Sequence, residues 1–187
     1  MPERRRRPSS GAGRDVLVVL GVFLLAGLLG GALWAQVVSP AEFTKLAGGG
    51  SMGEDQLGRQ FGADGWFVVI GAVAGLLLGV VLTWWRSRDP VLTTLLLVVG
   101  GTVAAAAMAA LGHRLGPGST SQALAAARIG AKVPERLDVG TGAHTGLHWA
   151  TLPFYLSWPV GALAGAVLVL FRDVRSGDSA SGEAEPH

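Results

Sequence analysis

Residues 66–85, WFVVIGAVAGLLLGVVLTWW, decide the fold of this chain. The segment contains no Asp, Glu, Lys or Arg. As a helix rising 1.5 Å per residue, roughly 20 residues cover the hydrocarbon core of a bilayer, which is about 30 Å thick. Inside lipid every backbone N–H and C=O must be bonded within the segment, so a helix is the expected form. The segment therefore predicts a membrane-spanning helix.

Three further segments repeat this pattern, at residues 16–38, 91–112 and 152–171. Half of the 187 residues are hydrophobic and the mean hydropathy is positive. Because the apolar residues form unbroken runs instead of periodic stripes, lipid is the expected solvent. We predict an all-α transmembrane fold, a four-helix membrane bundle with residues 16–171 as its membrane domain. The net charge of only +2 gives no support to a nucleic-acid partner.

Basic residues set the expected topology. Arg4, Arg5, Arg6, Arg7 and Arg14 precede the first run, and Lys and Arg resist translocation. We therefore expect residues 1–15 to form a basic cytoplasmic tail of a multi-pass plasma-membrane protein. Four crossings then return the C-terminus to the cytoplasm, where residues 172–187, rich in Ser, Gly and acidic residues, are predicted to be disordered. A cleaved signal peptide is the alternative for the first run, but the run is long and no A-x-A site follows it.

Aromatic residues are expected at both interfaces, where amphipathic rings favour the headgroup zone. Trp34, Trp66 and Trp149 fall near the predicted outer interface, and Trp84 and Trp85 fall near the inner one. The alternative is that these rings serve packing alone.

Glycines predict how the helices pack. Gly71, Gly75 and Gly79 share one face of the second span, and Gly161 and Gly165 share one face of the fourth. In lipid such faces let helix backbones approach closely, either within the bundle or between two copies of the chain.

Two local features refine the expected packing. The short link at residues 86–89 predicts that spans two and three are antiparallel neighbours. Pro159, after Trp158, predicts a kink in the fourth span because it removes an interior hydrogen bond.

The two outer segments, residues 39–65 and 113–151, are expected to form a small extracytoplasmic cap of short strands and a short helix. Residues 43–46 alternate like a strand and are predicted to pair with residues 136–139. Residues 119–129 predict a short helix capped by Ser or Thr. Residues 54–61 predict a helical turn or two that leads into the second span.

Few residues suggest chemistry. His144 and His148 have the spacing of two metal ligands on one helical turn, with His113 and Asp138 as partners in space, yet neighbouring glycines argue against a firm helix. Interfacial histidines at the mouth of the fourth span are the other interpretation. Asp64 is expected to cap the second span. We predict no catalytic residue, no metal and no cofactor.

One resemblance adds to this. The GADGWF motif at residues 62–67, the glycine helix with Arg86 and Arg88 after it, and LSWPVG at residues 156–161 resemble the uncharacterised small four-span membrane proteins of actinobacteria. The resemblance implies a four-span topology in the plasma membrane and no particular activity.

These observations lead to a functional expectation. We expect a non-enzymatic accessory or scaffold component of the cell envelope, whose partners are the lipid bilayer and another membrane protein or a second copy. A small oligomeric channel or transporter is one alternative, although no charged residue lies within the spans. An envelope enzyme with a site at the outer mouth is the other.

Overall fold

The computed structural model describes residues 10–85, 90–140 and 151–181. Its elements, in chain order, are α1 (Ser10–Val37), β1 (Glu42–Leu46), β2 (Gly49–Ser51), α2 (Glu54–Trp85), α3 (Pro90–Leu115), α4 (Thr120–Ala126), β3 (Lys132–Pro134) and α5 (Leu152–Ser181). Four of these helices, α1, α2, α3 and α5, are long and apolar enough to cross a membrane. The helical class with a small sheet is thus confirmed.

The four long helices form two parallel pairs. Gly27 lies beside Ala104 and Gly31 beside Met108, so α1 and α3 advance together. α2 pairs with α5 in the same way, and the pairs join through α3 with α5 and α1 with α2. All of α1, α2, α3 and α5 therefore have one end at the sheet and α4, which we call the cap end, and the other at the far end.

The prediction that α2 and α3 are neighbours is wrong. They make few contacts and lie diagonally across the bundle. Neighbouring helix axes are about 8–10 Å apart, which makes a diagonal of roughly 11–14 Å. The link from Trp85 to Pro90 can reach roughly 17 Å at full extension, so its shortness does not force adjacency.

Glycine faces bring α2 and α5 into backbone contact. A Cβ atom at Gly79 would overlap the carbonyl of Ala162, and one at Gly165 would overlap the carbonyl of Leu76. On each helix the glycines leave a groove that the backbone of the other helix fills, and a side chain at those positions would close it. Equivalent close approaches occur at Gly71, Gly75 and Gly161.

Trp158 fills the centre of the bundle. It is fully buried, and its indole N–H points to the sulfur of Met108 at 3.4 Å. Helix α5 continues past Pro159, which lies against Gly101 of α3. The kink expected at Pro159 stays a prediction.

The outward faces of the bundle are apolar. On α2, Val69, Val73, Leu77 and Val81 are each more than half exposed. Water would strongly disfavour so much apolar surface, whereas lipid would not. This surface is compatible with a multi-pass membrane protein.

The tryptophans divide between surface and core. Trp66, Trp84 and Trp85 are largely exposed, as a belt residue would be. Trp34 is fully buried, so the prediction of an interfacial ring is wrong there. Trp149 lies outside the described residues.

The cap comprises residues 38–53 and 116–140 and contains a three-stranded antiparallel sheet in the order β2-β1-β3. Phe43 of β1 pairs with Val133 of β3, so the predicted partner, residues 136–139, is wrong. The chain leaves the sheet after Pro134 because Leu137 turns inward and is buried against Gly116, the residue that follows α3. Residues 49–51 form a third strand that the sequence analysis had not anticipated.

The short helix α4 is smaller than predicted and lacks the expected side-chain cap. The Ser119 hydroxyl bonds the Ser121 hydroxyl, while Thr120 Oγ1 accepts the Arg136 N–H at 2.8 Å. The hydroxyl predicted for capping therefore holds the returning chain instead.

Helix ends also differ from the predicted segments. α2 begins at Glu54, so the second half of segment 39–65 is helical and continuous with the span. α1 starts at Ser10, inside the predicted tail 1–15. α5 reaches Ser181, within the segment 172–187, whose predicted disorder stays a prediction.

Candidate functional site

One face of α2 changes character along its length. Near the cap this face carries polar side chains at Gln56, Gln60 and Asp64, four residues apart. Farther along, the glycines that contact α5 continue the same spacing. Residues three or four apart share a helix face, so one row of side chains serves both the cap and the bundle.

The first two polar residues bind the cap. Gln56 Oε1 accepts the backbone N–H of Glu42 at 2.9 Å, at the start of β1. Gln60 Nε2 donates to Glu135 Oε1 at 3.1 Å, just after β3. Because Glu42 pairs with Pro134 in the antiparallel register, both bonds fix the same end of the β1–β3 pair to α2.

Asp64 is the third attachment point, and its predicted role as a helix cap is wrong. It lies in the third turn of α2, only 6% exposed, and its Oδ1 accepts the N–H of Gly140 at 3.0 Å. Gly140 has φ +81°, a conformation that favours glycine, and a Cβ there would also meet Thr151. Asp64 thus fixes the last described turn of the cap.

A second set of contacts ties the cap to α3. His113 Nδ1 lies 2.5 Å from Asp138 Oδ1, with both side chains partly exposed. His113 and Asp138 were expected to join His144 and His148 at a metal site, and those two histidines lie outside the described residues; the direct contact between His113 and Asp138 was not predicted. The neighbouring Leu137 packs on Gly116, where the chain leaves α3, and adds an apolar contact within the cap.

Acidic groups dominate the electrostatics here. Burial raises the pKa of Glu135, and the negative charges of Asp64 and Asp138 raise it further. Lys132 is engaged with Glu42, and His113 with Asp138, so neither of these contacts neutralises Glu135.

Beneath the cap lies a small cavity of about 20 Å³, which has room for one water molecule. Its polar lining includes Gln60, Glu135 and Asp138. Trp34 closes the bundle nearby: its indole N–H donates to the carbonyl of Ala63, another lining residue, at 2.8 Å. The space is too small for an organic substrate in this arrangement.

A metal centre finds no support in the described residues, where no group of three His, Asp or Glu side chains is placed to hold an ion. His144 and His148 lie outside the described residues. The remaining predicted structural residues fall into the bundle, with Trp158 and Pro159 in the core and Trp66 on the surface.

Three residues of the cap-attachment site are absent from the sequence-based predictions: Gln56, Gln60 and Glu135. A signal was present, because Gln56, Gln60 and Asp64 continue in register with Gly71 two turns later. Their partners are up to 76 residues away, so spacing alone reveals the face and not what it binds.

The fold and the site together define a four-helix bundle with a polar cap-attachment site. Comparison with protein-family models, with curated proteins and with solved structures finds no match for this chain.

Proposed function

We propose that this chain is a non-enzymatic accessory or scaffold protein of the plasma membrane, which presents its cap to a partner. The observation that carries the proposal is the division of the cap into two surfaces. Its polar inner surface is used for attachment to α2 and α3. At one end of the sheet Ile129, 72% exposed, and Leu46 remain uncovered.

Ile129 and Leu46 lie near one another. The Gly130 N–H donates to the Lys45 carbonyl at 2.8 Å, which brings the turn before β3 beside the end of β1. Lys45 and Arg128 flank these two residues in sequence. An apolar pair beside cations is suited to a protein surface that carries apolar and acidic side chains.

The proposed orientation puts the cap outside the cell and both termini in the cytoplasm. It is supported by nine of the 15 Lys and Arg residues, which fall on the proposed cytoplasmic side close to helix ends. Reporter fusions at both termini should give cytoplasmic signals, and a reporter in the 47–48 turn should give an outer one. The resemblance to four-span actinobacterial proteins remains part of this proposal.

Site-directed crosslinking tests the function. The chain has no Cys, so Ile129→Cys carries one photoreactive label, and Ser51→Cys on the exposed β2 strand is the matched control. In native membranes we expect an adduct from position 129 and little from position 51. Its mass separates a second copy from a different protein. A lone monomer at both positions would contradict the proposal.

An envelope enzyme is the second candidate, and the His113–Asp138 pair favours it. A carboxylate on Nδ1 orients an imidazole as a general base whose Nε2 faces a substrate. Turnover of ester or amide substrates by purified protein, lost in His113→Gln, would replace the scaffold proposal. Ion flux through reconstituted vesicles would instead support a channel, with the path between copies because Trp158 fills the centre of the bundle.

A further inference from the structure

We propose that attachment of the cap is pH-sensitive: the cap is held tightly at acidic pH and loosens as the pH rises, through the carboxyl group of Glu135 that lies against Gln60 of α2. The inference concerns the contact between cap and bundle and does not depend on the proposed partner.

Geometry is the first support. Glu135 belongs to the cap, and its carboxyl group lies against α2 with the neutral Gln60 amide as its hydrogen-bond partner. When ionised, this carboxylate is half-buried near Asp64 and Asp138. Like charges in a partly buried site repel, so ionisation of Glu135 weakens the contact between cap and α2.

The charged groups around Glu135 come from every element packed on it, and acids predominate. Helix α2 contributes Asp64, and the cap contributes Asp138. Arg136 lines the same cavity, while Glu42 of β1 is engaged with Lys132 at 3.4 Å. Helix α3 contributes His113, which is paired with Asp138. Helix α5 contributes Tyr155, which is within electrostatic reach of Asp138.

The direction of the effect follows from linkage. Because the pKa of Glu135 is raised above its ordinary value of 4.5 when the cap is docked, the docked state binds a proton more tightly than the released state. Docking therefore strengthens as pH falls through the raised value, and this gain is complete below about 4.5.

Thiol labelling tests the proposal on the full chain in detergent or vesicles. Ala63→Cys places a single thiol in the cavity beneath the cap, and the adjacent Gly62→Cys is an exposed control in open space. The ratio of their labelling rates cancels most of the intrinsic dependence of thiol reactivity on pH. We expect this ratio to fall about fivefold between about pH 8 and about pH 4.5, where the gain from protonation approaches completion.

Variants assign the effect. Glu135→Gln keeps an acceptor for Gln60 and should remove most of the fall. Ala41→Cys, a buried position lining the same cavity, is the second reporter and must give the same profile. A ratio independent of pH, no labelling of either reporter at any pH, or an unchanged fall in Glu135→Gln would overturn the proposal.

Discussion

Helix α2 presents the same face to two different surroundings, and the two halves of that face are held by different physics. In the half next to α5, glycines allow backbone to touch backbone, and the contact is van der Waals packing. In the half next to the cap, Gln56, Gln60 and Asp64 hold separate parts of the chain by hydrogen bonds.

This difference indicates which part of the molecule can change its conformation. Close packing is intolerant of added atoms and insensitive to pH. Hydrogen bonds to acids such as Asp64 and Glu135 depend on whether the carboxyl group is protonated. We therefore regard the bundle as the rigid part and the cap as its adjustable attachment.

The largest expected effect comes from emptying the centre of the bundle. Trp158→Ala should lower the free energy of unfolding by about 3–5 kcal/mol, because it leaves a cavity where four helices meet. The exposed Trp84, at 76%, is the control, and Trp84→Ala should change stability by less than about 0.5 kcal/mol. Denaturant titration in detergent measures both. Equal losses would show that Trp158 is not central.

Adding one methyl group tests the glycine half. Gly79→Ala should cost about 1–3 kcal/mol, because the new Cβ meets the Ala162 carbonyl and the two helix backbones must separate. Gly65→Ala on the same helix meets nothing within 4 Å and should be neutral or stabilising by up to about 1 kcal/mol. The same titration compares them, and destabilisation by both variants would remove the distinction between the two halves.

A substitution in the polar half should act locally. Asp64→Leu removes the acceptor of the Gly140 N–H, a bond to a charged group worth about 1.5–3 kcal/mol. We expect faster amide hydrogen exchange within residues 132–140 and little change in the bundle. Asp64→Asn, which keeps an acceptor oxygen, should restore most of the protection. Faster exchange throughout α5 would show instead that cap and bundle unfold together.

The smallest expected effect comes from removing the negative charge of Glu135. Glu135→Gln keeps an oxygen that can accept from Gln60 and removes the buried negative charge. Since the pKa of Glu135 is raised, the variant should slow proteolysis of the cap at neutral pH and match the parent at low pH. Slower proteolysis of the parent at neutral pH would reverse the assigned sign.

How well the sequence predicts each region depends on how far apart in the chain its contacting residues lie. Gly71, Gly75 and Gly79 reveal their role locally, because small residues at a helical spacing imply close packing whichever helix receives them. The choice of α5 over α3 as the partner is not encoded in the 86–89 link, which is long enough to allow a diagonal.

In the cap, by contrast, the roles of individual residues depend on tertiary contacts that the local sequence does not reveal. Asp64 looked like a helix cap because the apolar run begins just after it, whereas the helix starts ten residues earlier at Glu54. The strand register failed because the burial of Leu137 and the Arg136–Thr120 bond, both tertiary contacts, pull the chain off the sheet after Pro134. Such contacts override local strand propensity.

A cysteine scan along α2 tests the central claim, that one continuous helix uses one face in both surroundings. With a water-soluble reagent we predict labelling at Leu57 and Phe61 and protection at Gln60 and Asp64. Beyond Trp66 that reagent should fail everywhere, while an apolar reagent labels the outward positions 69, 73, 77 and 81 and spares Phe67 and Leu82. Labelling of position 73 by the water-soluble reagent as fast as position 61, or equal labelling at Asp64 and Phe61, would contradict the account.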